Sequence, residues 1–196
     1  MNTAASPSRP EPGQLTVADA VAWRAWLDIH EDVSNGVWLT LAKKGTTTPT
    51  TLTYQEALDE ALCSGWIDGR KQSIDSAIYR QHFTPRRARS IWSRRNVDLV
   101  DGLTAASRMR ERGQAEIERA RTDGRWDRAY AGAAAMIVPN DFLSALKGTE
   151  GAEPAFFALT ASARYPILLD ITTASSDALR ATRIARHIGR IVAQSP

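Results

Sequence analysis

CSGWIDGRKQSIDSAIYRQHFTPRRARSIWSRRN, residues Cys63 to Asn96, decides how the rest of the chain is read. It holds two of the six tryptophans and the only cysteine. Between Arg70 and Arg95, eight basic residues stand against one acid, Asp75. This segment is therefore +7 in a chain whose total is +3, and everything else sums to −4. Charge this local points to a site more than to a bulk property. Trp66-Ile67-Asp68-Gly69 reads as the start of a strand over residues 66–74. Ala77 to Phe83 (AIYRQHF) alternates apolar and polar residues at the period of two expected of a half-buried strand. Pro85 closes the region, and Thr84-Pro85-Arg86-Arg87 reads as an ordered turn. The stretch contains no complete catalytic constellation.

On its N-terminal side, Thr53-Tyr54-Gln55-Glu56 is a capping box, in which Thr53 and Glu56 satisfy each other's backbone amides. Tyr54, Ala57, Leu58, Ala61 and Leu62 then fall on one helical face, and Gly65 is placed to end the helix in a left-handed conformation. Val37 to Ala42 is an apolar, β-branched and aromatic run of strand length that follows the Asn35-Gly36 turn signal. Earlier still, Thr16 is the expected cap of an amphipathic helix from Val17 to about Ile29. Residues 1 to 14, with three prolines and nothing to bury, are expected to be a disordered leader.

On the C-terminal side, Ser93 or Asn96 is expected to cap a helix from Val97 to Met109, which Gly113 breaks. Further helices are expected at Ala115–Arg121, after Pro139, at Glu153–Leu159 and at Ala178–Val192. The last carries Arg180, Arg183, Arg186 and Arg190 on an outer, solvated side. The order of elements predicts an α+β fold, a small mostly antiparallel sheet packed by helices with a helical C-terminal half. The expected organisation is a core over residues 15–130, with residues 131–196 packed on the same domain.

At 43% hydrophobic and 24% charged residues the composition is that of a soluble globular chain. There is no apolar run of transmembrane length, and the N-terminus lacks the apolar region of a secretory signal. One cysteine excludes an internal disulfide and a Cys-based zinc site, and fits a reducing cytoplasm.

The succession VWLTLAKK, TYQEALDEALCSGWIDG, YRQHFTPRR and SIWSRRN resembles the YdeI/OmpD-associated (OmdA) family of bacterial proteins. DGLTAASRMRERG, RTDGRWDRAY, VPNDFLSALKG, AFFALTASAR and RATRIARHI continue the likeness, which covers roughly residues 15 to 192. Where that family tends to show an aromatic followed by an Ala-Lys pair, this chain has Leu169-Asp170 and later Ala174-Ser175, so a role for that lysine does not carry over. The resemblance implies a bacteriocin-protection or stress-resistance protein, in a family some of whose members are linked to outer-membrane porins. It attaches no agreed reaction.

The residues that would form a site are Trp66, Asp68, Arg80, Thr84, Arg86, Arg87, Ser90 and Trp92. Guanidinium forks can bind phosphate or carboxylate through paired hydrogen bonds, and indole rings add stacking surface. The expected partner is a small anionic ligand or a protein. The competing reading pairs Arg86 and Arg87 with Asp68, Asp59 or Glu60 and leaves Trp92 in the core. A nucleic-acid surface is a further alternative, without a recognised binding motif to accompany it. An enzyme using Asp68 or Cys63 is another, and Cys63 would need His82 as its base. His30 and His187 lack ligand spacing, so no metal or cofactor is expected. The oligomeric state is not legible.

Overall fold

The computed structural model describes residues 13–193. The chain divides into two compact units, one of residues 13–90 with 99–119, the other of residues 91–98 with 120–193. The fold is α+β, and its sheet is mainly antiparallel.

The first unit contains the sheet. Its strands are β1 (Gly13–Leu15), β2 (Val37–Ala42), β3 (Trp66–Ser73) and β4 (Ile78–Pro85), in the order β1-β2-β4-β3. β4 is antiparallel to both neighbours, and β1 is parallel to β2. Gly13 and Gln14, expected in the disordered leader, pair instead with Val37 and Trp38; the rest of that expectation, residues 1–12, lies outside the described residues. The helices are α1 (Ala20–His30) and α2 (Tyr54–Cys63). Thr16 does not cap α1. Its hydroxyl bonds the Thr40 hydroxyl at 2.8 Å, and Asp19 caps the helix by accepting from the Ala22 amide at 2.9 Å. The capping box of α2 forms as expected, and Gly65 ends the helix at φ +67°.

Alternation sorts the strands into two faces. Val37, Leu39 and Leu41 of β2 pair with Phe83, Gln81 and Tyr79 of β4, and all six are buried. Trp23, reaching this face from α1, lies against Phe83 at 5.8 Å and edge-on to Trp66 at 6.4 Å. The Trp23 indole N–H donates to the Ala57 carbonyl, which ties α1 to α2. Opposite-parity residues, Trp38, Thr40, Arg80, His82 and Thr84, share the outer face.

α3 (Arg94–Ala105) begins where Ser93 accepts from the Asn96 amide, and α4 spans Glu111–Thr122. Gly113 was expected to break the helix. It lies inside α4 instead, because a Cβ there would sit 2.2 Å from the Cys63 carbonyl oxygen. Only glycine lets this backbone come so close, and the approach outweighs the helix cost of the residue.

The second unit is helical. A short 3-10 turn at Ala133–Ala135 precedes α5 (Asn140–Lys147), α6 (Ala152–Ala158), α7 (Ala161–Thr172) and α8 (Asp177–Ala193). Its core is Phe142, Leu146, Phe156, Leu168, Ile171, Ile188 and Ile191. α7 was not anticipated from the sequence. It carries Pro166 inside it and buries only Leu168 and Ile171, so its apolar periodicity is faint. Arg180, Arg183 and Arg186 are not simply a solvated stripe. Arg180 forks onto Asp141, while Arg183, Arg186 and His187 converge on Asp170.

Candidate functional site

The seven expected site residues of the first unit do not share one surface. Trp66 is fully buried and donates its indole N–H to the Glu31 carbonyl at 3.2 Å. Asp68 pairs in register with Phe83 and so faces the helices, where the Tyr54 hydroxyl donates to it at 2.8 Å. Arg86 is buried, its amide donating to the Gly65 carbonyl. Arg87 and Ser90 brace the following turn, the Arg87 amide donating to the Ser90 hydroxyl at 2.9 Å. Trp92 belongs to the second unit and packs on Trp126 at 4.9 Å. Arg80 and Thr84 remain, on the outer face of β4 with His82 between them.

Asp68, Asp59 and Glu60 make contacts with Tyr54, Arg108 and Arg110. Glu60, buried on α2, accepts from Arg108 at 2.6 Å and from Arg110 at 3.0 Å. Arg108 also lies 3.8 Å from Asp59. Arg110 donates in addition to the Ser64 hydroxyl and lies 3.3 Å from Asp28 of α1. This knot ties α1, α2 and the segment before α4 together. Nothing in the sequence separated Arg108 and Arg110 from the other arginines, because their partners lie about fifty residues away along the chain.

Cys63 is a structural thiol. Burial, with Glu60 beside it, pushes its pKa up to about 11, so it is protonated at neutral pH and is a poor nucleophile.

The outer sheet face has a different character. Trp38 and His82 are cross-strand partners with rings 4.9 Å apart, and the Arg70 guanidinium lies 5.9 Å from the Trp38 ring. Arg80 is the next outward residue of β4, between Thr40 of β2 and Gln72 of β3. Burial and the nearby Arg70 charge hold the His82 pKa below the usual histidine value, so its imidazole is neutral at pH 7. The outward positions of β2 and β4 hold no carboxylate, and Arg70 and Arg80 have no ion-pair partner among the described residues. Arg80 Nε and His82 Nε2 are cut off from solvent with no hydrogen-bond partner among those residues. A buried polar atom without a partner costs about 1–3 kcal/mol, which an incoming oxygen can recover. Trp38, Arg70 and His82 were not among the expected residues. The alternation of AIYRQHF and VWLTLA held the signal, since it puts Arg80, His82 and Trp38 on one side.

The second unit offers a cleft of about 810 Å³ between α5 and α8, lined by Ala145, Ala181, Ile184, Ala185, Ile188 and Gly189 among others. Its guanidinium, Arg180, is already held by Asp141 and the Ile171 carbonyl, so the cleft is a weaker place for an anion. Among the described residues no cluster of three or more His, Cys, Asp or Glu could hold a metal ion, and no helix is long and apolar enough to cross a membrane.

Two family models match the chain. One, described as a domain of unknown function (DUF8412), covers residues 15–116; the other, described as "Bacteriocin-protection, YdeI or OmpD-Associated" (OmdA), covers residues 135–193. The motifs from Glu56 to Asp68 and from Phe83 to Ser93 fall inside the first match, and VPNDFLSALKG, AFFALTASAR and RATRIARHI inside the second. No curated protein and no solved structure matches.

Proposed function

We propose, for a chain that belongs to the DUF8412 family and carries an OmdA (YdeI/OmpD-associated) domain, that it binds a small anionic ligand on the outer face of its sheet. The observation that carries this reading is the desolvated, unpartnered Arg80 Nε on the same sheet face as His82, Trp38 and the Arg70 guanidinium over it, a face whose central strands hold no carboxylate. Two guanidinium groups supply the charge, the neutral imidazole one further hydrogen bond, and the indole a flat apolar wall. Thr84 continues the same face along β4. In this reading the protein acts in the cytoplasm in the bacteriocin-protection or stress-resistance role of YdeI/OmdA-like proteins. It does so by binding, without a catalytic step of its own.

Thermal-shift and calorimetric titration with phosphate, nucleotides and small carboxylates tests the proposal. At least one of these should raise the melting temperature of the wild-type chain in a salt-dependent manner. Arg80→Gln and Arg70→Gln should abolish that gain while leaving the circular dichroism unchanged. Failure of every such anion to stabilise the protein at low salt, or binding that survives both substitutions, refutes the site. A gel shift at low salt addresses the nucleic-acid alternative, since phosphate-backbone contacts are strongest there.

A further inference from the structure

The face of α1 that points away from the core is apolar along its length. Trp23 and Leu27 bury one side of the helix. On the opposite side, Val21, Ala25 and Ile29 follow at intervals of four residues, and Val33, in the turn beyond the helix, is exposed as well. Val21 is 76% exposed, Ile29 73% and Val33 76%. Large apolar groups this exposed are ordinary when scattered, but a row of them on one face marks an interaction surface.

The charges beside the stripe identify its occupant. At 100° per residue Arg24 and Asp28 lie on the same flank of the Val21–Ala25–Ile29 row, one turn apart. Arg24 is exposed and has no ion-pair partner among the described residues. Asp28, with a side chain 52% exposed, uses Oδ1 toward Arg110. We propose that this face binds a second copy of the same chain, α1 against α1, antiparallel and centred on Ala25.

The register follows from helix geometry. A two-fold axis through Ala25 maps Val21 onto Ile29 of the other copy, because both lie about 6 Å along the axis from the centre. Ala25 meets Ala25, and a small residue at the crossing lets the backbones approach closely. The same operation keeps the charged flank on one side and reverses its order. Each Arg24 then lies about 3 Å along the axis from the other copy's Asp28, well within the reach of an arginine side chain. Shape and charge are thus both self-complementary about one point, as a two-fold interface demands and a contact with an unrelated partner does not. α1 is about 16 Å long, so it covers less than the roughly 800 Å² per partner typical of a stable complex. The dimer is accordingly a weak, concentration-dependent one.

Sedimentation equilibrium of the full chain from about 1 µM to 1 mM is the test. The weight-average mass should rise from the 21.5 kDa monomer toward twice that value. Ile29→Glu and Ala25→Arg should hold it at the monomer, with unchanged circular dichroism. Arg24→Glu alone makes both charges of the flank acidic, and Asp28→Arg alone makes both basic. Each should weaken self-association about three- to tenfold, the scale of exposed ion pairs. An equimolar mixture of those two variants should restore association as a heterodimer. A chain that stays monomeric throughout the range overturns the proposal. So does a dimer indifferent to Ile29→Glu, or a charge-reversed mixture no tighter than its components.

Discussion

Replacing Arg110 by methionine keeps the aliphatic stem of the side chain and removes its guanidinium from the knot around Glu60. Arg110 and Glu60 have side chains only 12% and 9% exposed. Their contact is therefore a buried pair, for which loss of one partner costs about 3–5 kcal/mol because the other charge is left desolvated. Arg108 still donates to Glu60 at 2.6 Å in the variant, which places the expected loss near the lower end, about 3 kcal/mol. The Ser64 hydroxyl and the Asp28 carboxylate lose the same donor group. Urea unfolding followed by far-ultraviolet circular dichroism measures the effect. With a slope of about 1–3 kcal/mol per molar urea, the midpoint should fall by about 1 M or more. Glu60→Gln should be similarly costly. The double variant should cost less than the sum of the two by about 1 kcal/mol or more, since one change removes what the other needs. Arg186→Ala, whose side chain is 52% exposed, is the control and should cost under about 1 kcal/mol. If Arg110→Met costs no more than that control, or if the two substitutions add, the knot is a surface decoration and the reasoning fails.

Gly113→Ala should destabilise by about 2 kcal/mol or more, because the new Cβ collides with the Cys63 carbonyl. Gly102→Ala in α3, where a Cβ meets nothing within 4 Å, should stabilise by about 0.5–1 kcal/mol; both are read from denaturation midpoints. Cys63 holds its proton more tightly in the folded chain than in the unfolded one. Its contribution to stability is therefore complete below about pH 9 and is lost as pH rises from 9 toward 11. Cys63→Ala should flatten that part of the stability profile, and thiol titration of the native protein should be slow at pH 8. The Arg180 hydrogen bond holds the Asp141 carboxyl below the usual aspartate value, so its contribution is present above about pH 4 and is lost as pH falls. Asp141→Asn should reduce the acid-side slope of the stability profile measured by urea unfolding between pH 5 and 2.

Elements whose signals are local were legible in advance. The capping box at Thr53 and Glu56, the left-handed Gly65 and the three longer strands all depend on neighbours a few residues away. Misreadings arose where a distant partner decided the outcome. Thr16 was drawn to Thr40, leaving Asp19 to cap α1. Gly113 stayed in its helix because another element pressed against it. The outer-face residues were visible only in part, since charge density singled out Arg80 but not the neutral His82 or Trp38 that share its face.

By itself the sequence determined the α+β class, the position of β2, β3 and β4 within a few residues, and the likeness to OmdA proteins. Those follow from periodicity, turn chemistry and motif order, which act over one or two turns of chain. Only the tertiary structure decided where the +7 of residues 70–95 goes. Pairing between strands sends Arg80 to the outer face, where Arg70 also lies over Trp38, burial takes Arg86 inside, and Glu60 and Asp59 lie against Arg108 and Arg110. Guanidinium groups look alike in a sequence. What separates a ligand site from an internal ion pair is which carboxylate lies within about 4 Å, and the fold alone sets that distance.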